Sequence, residues 1–538
     1  MSTQHHNGGQ KSWYITTSIP YVNAQPHIGH ALELIQADVL ARYHRLNGYA
    51  VRFQTGADEN SLKNVQAAAQ EGIPTAALVE RNARRFEQLR PALDLSFDDF
   101  IRTSAEPRHE SGVHKFWQTC AARGDLYKRH YRGRYCIGCE QFYEESELLN
   151  GRCPVHGTTP ELVEEENYFF RLTRYEDELY RRIEADQFRI VPETRKREVL
   201  RFIERGLHDF SISRTRARAR GWGIPVPGDE EQVIYVWFDA LTNYITGLDY
   251  AHNGPAYQQY WVDSSERIHL VGKDIIRFHA IYWPAMLLSA GVPLPSQLWV
   301  HGFLTVEGQK ISKSLGNVID PVELAEQYGI DTLRYYLLRK VPSTGDTDFT
   351  RDELVRTYNA DLADQLGNLV SRVTKMIAQY TGGTVPAPGP LDDAAHRLVD
   401  LSQGVAQEID DAIAQFALHK ALAALWELVG ATNKYVVEVE PWRLARTLRE
   451  QGADPTVAQQ LSTTLYVLAE ALRVIAHQLA PFLPGTADAI VQQLGAPLAA
   501  DGEWRLARAW GERIVGARVA GGQALFPKLA PDARPNQS

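Results

Sequence analysis

The sequence predicts an α/β fold in which an inserted module splits an open parallel sheet and an all-helical region follows. Three observations favour this fold. Two strand–loop–helix patterns lie far apart in the chain, one starting at Ser12 and one at Arg267. The region between them carries a cluster of three cysteines. Strand-like patterns stop near residue 352, and amphipathic helical patterns take their place.

The first pattern is a β-loop-α-β unit. The stretch SWYITTSIPYV (12–22) is rich in β-branched and aromatic residues, which is typical of a buried strand. From His27 the apolar residues recur at spacings of three and four, which indicates a helix that ends at Asn47-Gly48. YAVRFQTG (49–56) then predicts the next strand, and such a crossover implies parallel strands.

The second pattern predicts a strand at 267–272, a helix over 273–291 and strand-like residues over 297–310. Beyond it, one long helix is expected over 351–380, and further helices within 391–430, 456–480 and 485–495. The expected domain organisation is a first half-sheet, an inserted connective module, a second half-sheet and a helical domain, with bounds of 1–119, 120–225, 226–350 and 351–538.

Composition excludes several classes of protein. The chain has 538 residues and a net charge of −9, which argues against a protein that coats nucleic acid non-specifically. A local basic surface is still predicted by the arginine run SRTRARAR, at Arg214, Arg216, Arg218 and Arg220. No apolar stretch long enough for a membrane span and no apolar leader segment is visible, so the expectation is a cytoplasmic protein without membrane contact.

Two short motifs indicate phosphate chemistry. His27, Gly29 and His30 begin a helix behind a parallel strand, where free N–H groups and the helix dipole favour anions. Gly29 would let a flat ligand approach the backbone, although a solvated helix start or a pair of metal ligands gives the same pattern. Lys310 and Lys313 lie in the loop EGQKISKSLGN, which is typical of a mobile phosphate clamp or of a plain solvated turn.

The pair of motifs, PHIGH after the first strand and KISKS much later, resembles the two signatures of class I aminoacyl-tRNA synthetases. The resemblance implies a Rossmann-like catalytic domain with ATP at the carboxyl ends of the strands. It implies that His27, Gly29 and His30 hold ATP, accompanied by Mg²⁺. It also implies that Lys310 and Lys313 stabilise the transition state of adenylate formation.

Several longer stretches are similar to methionyl-tRNA synthetases, including SIPYVNAQPHIGHAL, VIYVWFDALTNYITG and VGKDIIRFHAIYWPAM. The resemblance implies that Asp58 meets the substrate amino group, and that Lys273 and Asp274 face the adenosine. It implies a methionine pocket lined by Ile19, Tyr21, Trp237, Ala240, Tyr244, His279 and Trp283. Aromatic rings suit a polarisable thioether, and Tyr21 and His279 could also donate to its sulfur. The alternative for these rings is plain core packing.

The cysteine cluster has the spacing C-x2-C-x13-C-x2-H, formed by Cys136, Cys139, Cys153 and His156. Two close pairs of this kind suit one tetrahedral, structural Zn²⁺ with no open position. The alternative is three buried cysteines beside a surface histidine. The pattern is also similar to the zinc knuckle (136–156) of one methionyl-tRNA synthetase subgroup. Cys120 lies outside it and is expected to be a core thiol.

The helical region resembles that family's anticodon-binding domain. Asn368 and Arg372 lie four apart on one helix, and they match positions that read the CAU anticodon of tRNA(Met). Trp442 in EVEPWRLAR matches a position on which an unpaired base stacks. Each of these residues alone could equally be structural. The chain stops after LFPKL without the appended C-terminal domain of some members, which leads us to expect a monomer.

The chain departs from the family pattern at several positions. Asn60-Ser61 replaces the usual His-Gly after Asp-Glu, and Phe210 stands where a tryptophan is common before a retained Arg214. Asp364 stands where an asparagine often lies on the anticodon face. These departures leave the signature groups intact.

The resemblance implies a methionine–tRNA ligase that uses L-methionine, Mg·ATP and tRNA(Met). The methionine carboxylate would attack the α-phosphorus, and a ribose hydroxyl of tRNA would then attack the adenylate. Two other classes stay open at this stage. One is a non-catalytic paralogue that binds tRNA or methionine, and the other is a zinc-knuckle nucleic-acid-binding protein that uses no ATP.

Overall fold

A computed structural model describes most of the chain, namely residues 10–136, 138, 141–143, 145–154, 157–311, 316–342, 345–452, 454–511, 513–520 and 524–530. The chain divides into two compact units. Unit 1 holds the residues up to Pro26 together with Ala50–His301, and unit 2 holds His27–Tyr49 and the residues from Gly302 onward. No helix within the described ranges is long and apolar enough to cross a membrane.

The strands follow the chain in this order: β1 Ser12–Thr17, β2 Ala50–Ala57, β3 Asp99–Arg102, β4 Leu126–Cys136, β5 Gln141–Tyr143, β6 Glu161–Phe170, β7 Arg189–Val191, β8 Phe210–Ser211, β9 Ser213–Thr215, β10 Pro225–Val226, β11 Asp229–Ile234, β12 Glu266–Gly272, β13 Gln297–His301, β14 Leu304–Val306, β15 Gln309–Lys310 and β16 Thr347–Phe349.

The helices of the first half of the chain are α1 Ile28–Leu46, α2 Leu62–Glu71, α3 Thr75–Glu87, α4 Leu89–Ala92, α5 Pro107–Ala122, α6 Glu176–Glu184, α7 Glu193–Glu204, α8 Val236–Thr246, α9 Pro255–Tyr257 and α10 Trp283–Ala290. Those of the second half are α11 Pro321–Tyr328, α12 Ile330–Lys340, α13 Arg351–Thr357, α14 Asn368–Thr381, α15 Asp393–Ala414, α16 Leu418–Val439, α17 Pro441–Gln451, α18 Pro455–Leu479, α19 Pro484–Leu494 and α20 Trp504–Ala507.

Unit 1 is built on a parallel sheet with the strand order β3-β2-β1-β12-β13-β7. The order reverses direction between β1 and β12, and such a switch point is where open α/β sheets bind ligands. The predicted parallel sheet is therefore confirmed. One strand differs from expectation, because β7 lies inside the region predicted as an insertion and pairs with β13. The remaining strands of that region are antiparallel: β5-β4-β6-β8 form one sheet, and β9 and β10 pair with β11 in another.

Two predicted helices are less regular than their sequence patterns suggest. The stretch 273–291 begins as a 3-10 turn at Lys273–Ile275, widens to a π-helix at Phe278–Tyr282 and becomes α-helical only at α10. The predicted helix over 351–380 contains a π-helical segment, Tyr358–Gly367, between α13 and α14. Helical periodicity reports the buried face of a segment but not one extra residue per turn, so the sequence did not reveal either widening.

Unit 2 contains α1 and the helices from α11 onward, with the small sheet β15-β14-β16. A fully buried ion pair joins α1 to α12, where Arg334 Nη2 lies 2.8 Å from Asp38 Oδ2. Arg334 Nε also donates to the carbonyl of Phe482 at 2.9 Å. Since a buried charge is tolerated only when it is paired, this contact fixes α1 within the helical unit.

Candidate active site

The side chains of His27 and His30 cap the N-terminus of helix α1. His27 is the N-cap residue, and its Nδ1 accepts a hydrogen bond from the Gly29 N–H at 3.1 Å. His30 Nδ1 in turn accepts from the His27 N–H at 3.1 Å. The two rings stack with centroids 3.8 Å apart. A Cβ on Gly29 would lie 2.9 Å from His27 Cε1, so glycine is needed for this close packing.

Burial sets the protonation state of both imidazoles, and the capping hydrogen bonds set their tautomers. Burial lowers the pKa of His27 to about 4, and burial together with the neighbouring His27 lowers the pKa of His30 well below its ordinary value. Both rings are therefore neutral near pH 7. Because each Nδ1 accepts a hydrogen bond, the proton of each ring lies on Nε2. The start of α1 thus carries two imidazole N–H groups, which are hydrogen-bond donors.

Of the predicted lysine clamp, the structure describes only the residues that flank it. Lys310 ends strand β15 with its backbone, but its side chain and the whole of Lys313 lie outside the described residues. Both flanks approach the start of α1. The Ile28 N–H donates to the Ile319 carbonyl at 3.0 Å, and Ile311 Cδ1 lies 3.9 Å from the Cβ position of Gly29. The two sequence motifs therefore meet within unit 2.

In unit 1, the residues after β1 and β2 meet at the carboxyl edge of the parallel sheet. The Asp58 N–H donates to the Pro20 carbonyl at 2.9 Å, and Tyr21 and Asp58 form a parallel bridge. Asp58 is buried, whereas Ile19 and Tyr21 are half-buried. The predicted carboxylate and two of the predicted pocket residues are therefore neighbours at the edge where a ligand is expected.

Aromatic rings of unit 1 continue from this edge. Tyr21 contacts Trp237 edge-on, with ring centroids 6.4 Å apart. Trp237 stacks on Phe278 with centroids 3.7 Å apart and nearly parallel planes. It meets His279 edge-on at 6.4 Å. The indole N–H of Trp237 is buried without a hydrogen-bond partner among the described residues.

His279 is held in one tautomer. Burial lowers its pKa to about 4, so the ring is neutral near pH 7. Its Nδ1 lies 3.0 Å from the Ile275 carbonyl, which can only accept, so Nδ1 carries the proton. Its Nε2 therefore accepts from the Tyr244 hydroxyl at 2.7 Å. No ring N–H of His279 is left for a thioether, and His279 would contact such a ligand through its ring edge.

Beside this pair lies a second buried histidine that the sequence analysis missed. The Trp283 indole N–H donates to His269 Nε2 at 3.1 Å, and His269 Nδ1 lies 2.7 Å from Thr16 Oγ1. Burial lowers the pKa of His269 well below its ordinary value. The available signal was a histidine between two apolar residues of the strand RIHLVG. Trp283 itself is fully buried, so it supports the cluster from within the core.

The other predicted ligand residues of unit 1 occupy two neighbouring elements. Ala240 is buried on α8, the helix that also carries Trp237 and Tyr244. Lys273 and Asp274 form the 3-10 turn directly after Gly272, the last residue of β12. Lys273 is half-buried and Asp274 is exposed. The turn follows a central strand at the switch point of the sheet, as an adenosine contact would require.

The arginine run is only partly a surface. Arg214 is buried, with its guanidinium 4.3 Å from the Tyr235 ring centroid. Arg218 lies 4.6 Å from the Tyr135 ring centroid and forms an ion pair with Glu161. Arg216 and Arg220 remain exposed. Half of the predicted basic surface therefore serves internal contacts.

Two of the four predicted zinc ligands can be located. Cys136 and Cys153 are both buried and belong to one small cluster with Tyr143 and Leu148. Cys139 and His156 lie outside the described residues. Cys120 is buried elsewhere, in the main core of unit 1, as expected for a core thiol.

In unit 2, the predicted anticodon residues are solvent-exposed. Asn368 and Arg372 lie one turn apart at the start of α14, and Trp442 lies in the first turn of α17 with 39% of its surface exposed. An exposed tryptophan is unusual for a purely structural residue and suits a stacking platform. Asp364, one of the departures, forms an ion pair with Lys528 at 2.8 Å.

Comparison with known families agrees with the fold and with these motifs. A family model described as "tRNA synthetases class I (M)" matches residues 13–155 and 139–374. A second model, described as "Anticodon binding domain of methionyl tRNA ligase", matches residues 385–537. The parallel sheet, the capped histidine motif and these matches define the class as class I tRNA synthetases.

Individual relatives identify the family within this class. The chain is 45% identical to a methionine–tRNA ligase of Brucella melitensis over 91% of this chain and 92% of the relative. It is 43% identical to a methionine–tRNA ligase of Mycobacterium bovis over 98% and 99% of the two chains. A solved Mycobacterium tuberculosis methionyl-tRNA synthetase in complex with methionyl-adenylate superposes with a TM-score of 0.90 at 42% identity, covering 96% of this chain and 100% of that one. The chain belongs to the methionine–tRNA ligase family.

Proposed function

We propose that the chain activates L-methionine with Mg·ATP to methionyl-adenylate and pyrophosphate, and then transfers methionine to the 3′ end of tRNA(Met). Membership of the methionine–tRNA ligase family supports this function. So does the similarity to a solved relative that holds methionyl-adenylate. The observation that carries the proposal is the ring cluster around Tyr244 and His279, which adjoins the Asp58 edge of the parallel sheet.

The amino-acid half of the reaction is assigned to unit 1. The Asp58 carboxylate pairs with the ammonium group of methionine, while Trp237, Tyr244 and His279 surround its side chain. Neutral rings suit an apolar thioether, because a charged imidazole would have to be desolvated. A side chain that is one methylene shorter loses only about 1–3 kcal/mol in such a pocket, so homocysteine is activated to some degree.

The nucleotide half uses the start of α1. The Nε2–H groups of His27 and His30 donate to phosphate oxygens, and the helix dipole adds to their effect. Lys310 and Lys313 neutralise the charge that develops when the methionine carboxylate attacks the α-phosphorus. The bond between that phosphorus and pyrophosphate breaks, and pyrophosphate leaves with its electron pair. A ribose hydroxyl of tRNA then attacks the adenylate carbonyl and displaces AMP.

Selection of tRNA is assigned to the helical unit. Trp442 offers a stacking surface for an unpaired anticodon base, and Asn368 and Arg372 read base edges. We further infer that the enzyme works as a cytoplasmic monomer, which light scattering and cell fractionation test directly.

The inserted module fits a structural zinc ion. Cys136 and Cys153 are distant in sequence yet share one small buried cluster, which supports this assignment. We assign Cys136, Cys139, Cys153 and His156 as its ligands. Zinc bound there would crosslink the two ends of the cysteine segment around this small cluster.

The test is amino-acid-dependent ATP–pyrophosphate exchange, measured with methionine, homocysteine, leucine and cysteine side by side. Wild type is compared with Lys313→Ala and with Lys434→Ala, a lysine substitution outside both motifs. We expect exchange that prefers methionine, collapses in the first variant and persists in the second. Absence of exchange with every amino acid, from folded protein, would refute the ligase and leave a tRNA-binding or methionine-binding paralogue.

A further inference from the structure

A buried chain of hydrogen bonds connects the loop after β2 to helices α5 and α8, outside the ring cluster described above. Asn60 Nδ2 donates to Asp239 Oδ2 at 2.7 Å. His109 Nε2 lies 2.5 Å from Asp239 Oδ1, and His109 Nδ1 lies 2.7 Å from Thr246 Oγ1. Asp239, His109 and Thr246 are all fully buried.

This series of hydrogen bonds can form because helices α5 and α8 pack closely against each other. A Cβ on Gly112 of α5 would lie 2.3 Å from Thr246 Cγ2, so only glycine permits this approach. His109 precedes Gly112 by three residues and therefore projects from the same face of α5. Asp239 and Thr246 are seven residues apart and share one face of α8. The His109 ring consequently bridges two turns of α8.

The donors and acceptors of this chain follow from the carboxylate. An ionised Asp239 can only accept, so His109 Nε2 and the Asn60 amide both donate to it. Each carboxylate oxygen then has one partner, as a buried charge requires. Asn60 makes two further contacts: its backbone N–H lies 3.3 Å from Asp58 Oδ1 in the same loop, and its side-chain amide lies 3.3 Å from the carbonyl of Thr103, which follows β3.

We propose that Asn60 is a positioning residue for methionine, which ties the loop of Asp58 to helix α8. This inference rests on the proposed function, in which Asp58 meets the substrate ammonium group. Helix α8 carries Trp237, Ala240 and Tyr244, so one hydrogen bond sets the ammonium partner against the side-chain pocket. Asn60 acts through Asp58 and α8, without touching the substrate.

The first test compares Asn60→Leu with Asn60→His and with Asn167→Leu. The last variant removes a different buried amide of unit 1, one that donates to Glu165 within the inserted module. ATP–pyrophosphate exchange gives KM for methionine and for ATP separately, and thermal unfolding monitors the fold. In Asn60→Leu we expect KM for methionine to rise about tenfold, the effect of one hydrogen bond to a charged group. KM for ATP stays unchanged, and Asn60→His restores the methionine KM.

The second test exchanges donor and acceptor. Asn60→Asp alone sets two carboxylates against each other, whereas the double variant Asn60→Asp/Asp239→Asn pairs an amide with a carboxylate again. We expect the double variant to recover most of the methionine affinity that the single variant loses. An unchanged methionine KM in Asn60→Leu, an equal rise in both KM values or no recovery in the double variant would each overturn the inference. Absence of methionine-dependent ATP–pyrophosphate exchange in the unmutated protein would refute the proposed function instead.

Discussion

The hydrogen bond between Tyr244 and His279 gives the sharpest prediction about methionine recognition. Tyr244→Phe keeps the ring, which lies 4.1 Å from the His269 ring and 6.0 Å from that of Trp283. It removes only the hydroxyl that donates to His279 Nε2 at 2.7 Å. Both residues are 1% exposed, so water cannot replace the lost donor without reorganisation of the site.

The magnitude follows from the acceptor that is left behind. A buried acceptor without a partner costs about 1–3 kcal/mol, which corresponds to roughly 5-fold to 150-fold in an equilibrium constant. Since Nδ1 stays bound to the Ile275 carbonyl, the ring cannot simply turn over to recover the loss. We therefore expect KM for methionine to rise within that range while KM for ATP is unchanged.

The assay is methionine-dependent ATP–pyrophosphate exchange across a methionine titration. Tyr180→Phe is the matched control, because it removes an exposed hydroxyl that donates to Glu204 at 3.0 Å. If Tyr244→Phe shifts the methionine KM no more than this control does, the tautomer argument for His279 is wrong. A parallel rise in the ATP KM would refute it too, since the effect would then be a general loss of structure.

Three further predictions concern the affinity for tRNA, the zinc content and the stability at acid pH. Trp442→Ala raises KM for tRNA(Met) about tenfold through lost stacking but leaves ATP–pyrophosphate exchange intact, and a loss of exchange would contradict the assignment. We expect elemental analysis to find one zinc ion per chain in the wild type and in Cys120→Ser, and none in Cys153→Ser. Equal zinc content in the two variants would exclude the zinc knuckle. Burial lowers the pKa of His27 and His279 to about 4, so between pH 6.5 and pH 4 the unfolded chain binds more protons than the folded one. We therefore expect urea denaturation to show that the free energy of unfolding falls as the pH is lowered from 6.5 towards 4. A free energy of unfolding that does not change over this range would contradict the burial of these two histidines.

Much of the fold could be predicted because its elements have long, regular patterns. Strands β1, β2 and β12 each carry a run of apolar or β-branched residues, and the crossover rule then makes them parallel. Strand β7 escaped prediction because three residues, Arg189–Val191, are too few to show a period. The π-helical turns at Phe278–Tyr282 and Tyr358–Gly367 escaped because helical periodicity is insensitive to a single widened turn.

The functional motifs could be found in the sequence, but the chemical state of their residues could not. The spacing of His27 and His30 predicts that they share a face. It does not predict that each Nδ1 accepts a backbone N–H, which is what places the protons on Nε2. The partners of Asp239 are even harder to predict from the sequence. His109 and Asn60 reach it from elements that are distant along the chain, and the sequence of α5 gives no hint of the acceptor of His109.

The departures from the family pattern each gain a partner in the structure. Asn60 donates to Asp239, and Phe210 stacks on Tyr282 with ring centroids 4.2 Å apart. Asp364 pairs with Lys528. Without the Asn60 donor, the buried Asp239 carboxylate would keep only its contact with His109, and an incompletely paired buried charge is costly.

Compensation of this kind leaves the proposed amino-acid pocket intact, which a ligase and a methionine-binding paralogue would both need. The Asn60 amide gives the buried Asp239 carboxylate a second donor beside His109. The Asn60 contact also serves the loop of Asp58, the residue assigned to the substrate ammonium group. The altered position thus keeps the geometry that the proposed reaction needs, and the methionine KM of Asn60 variants measures that directly.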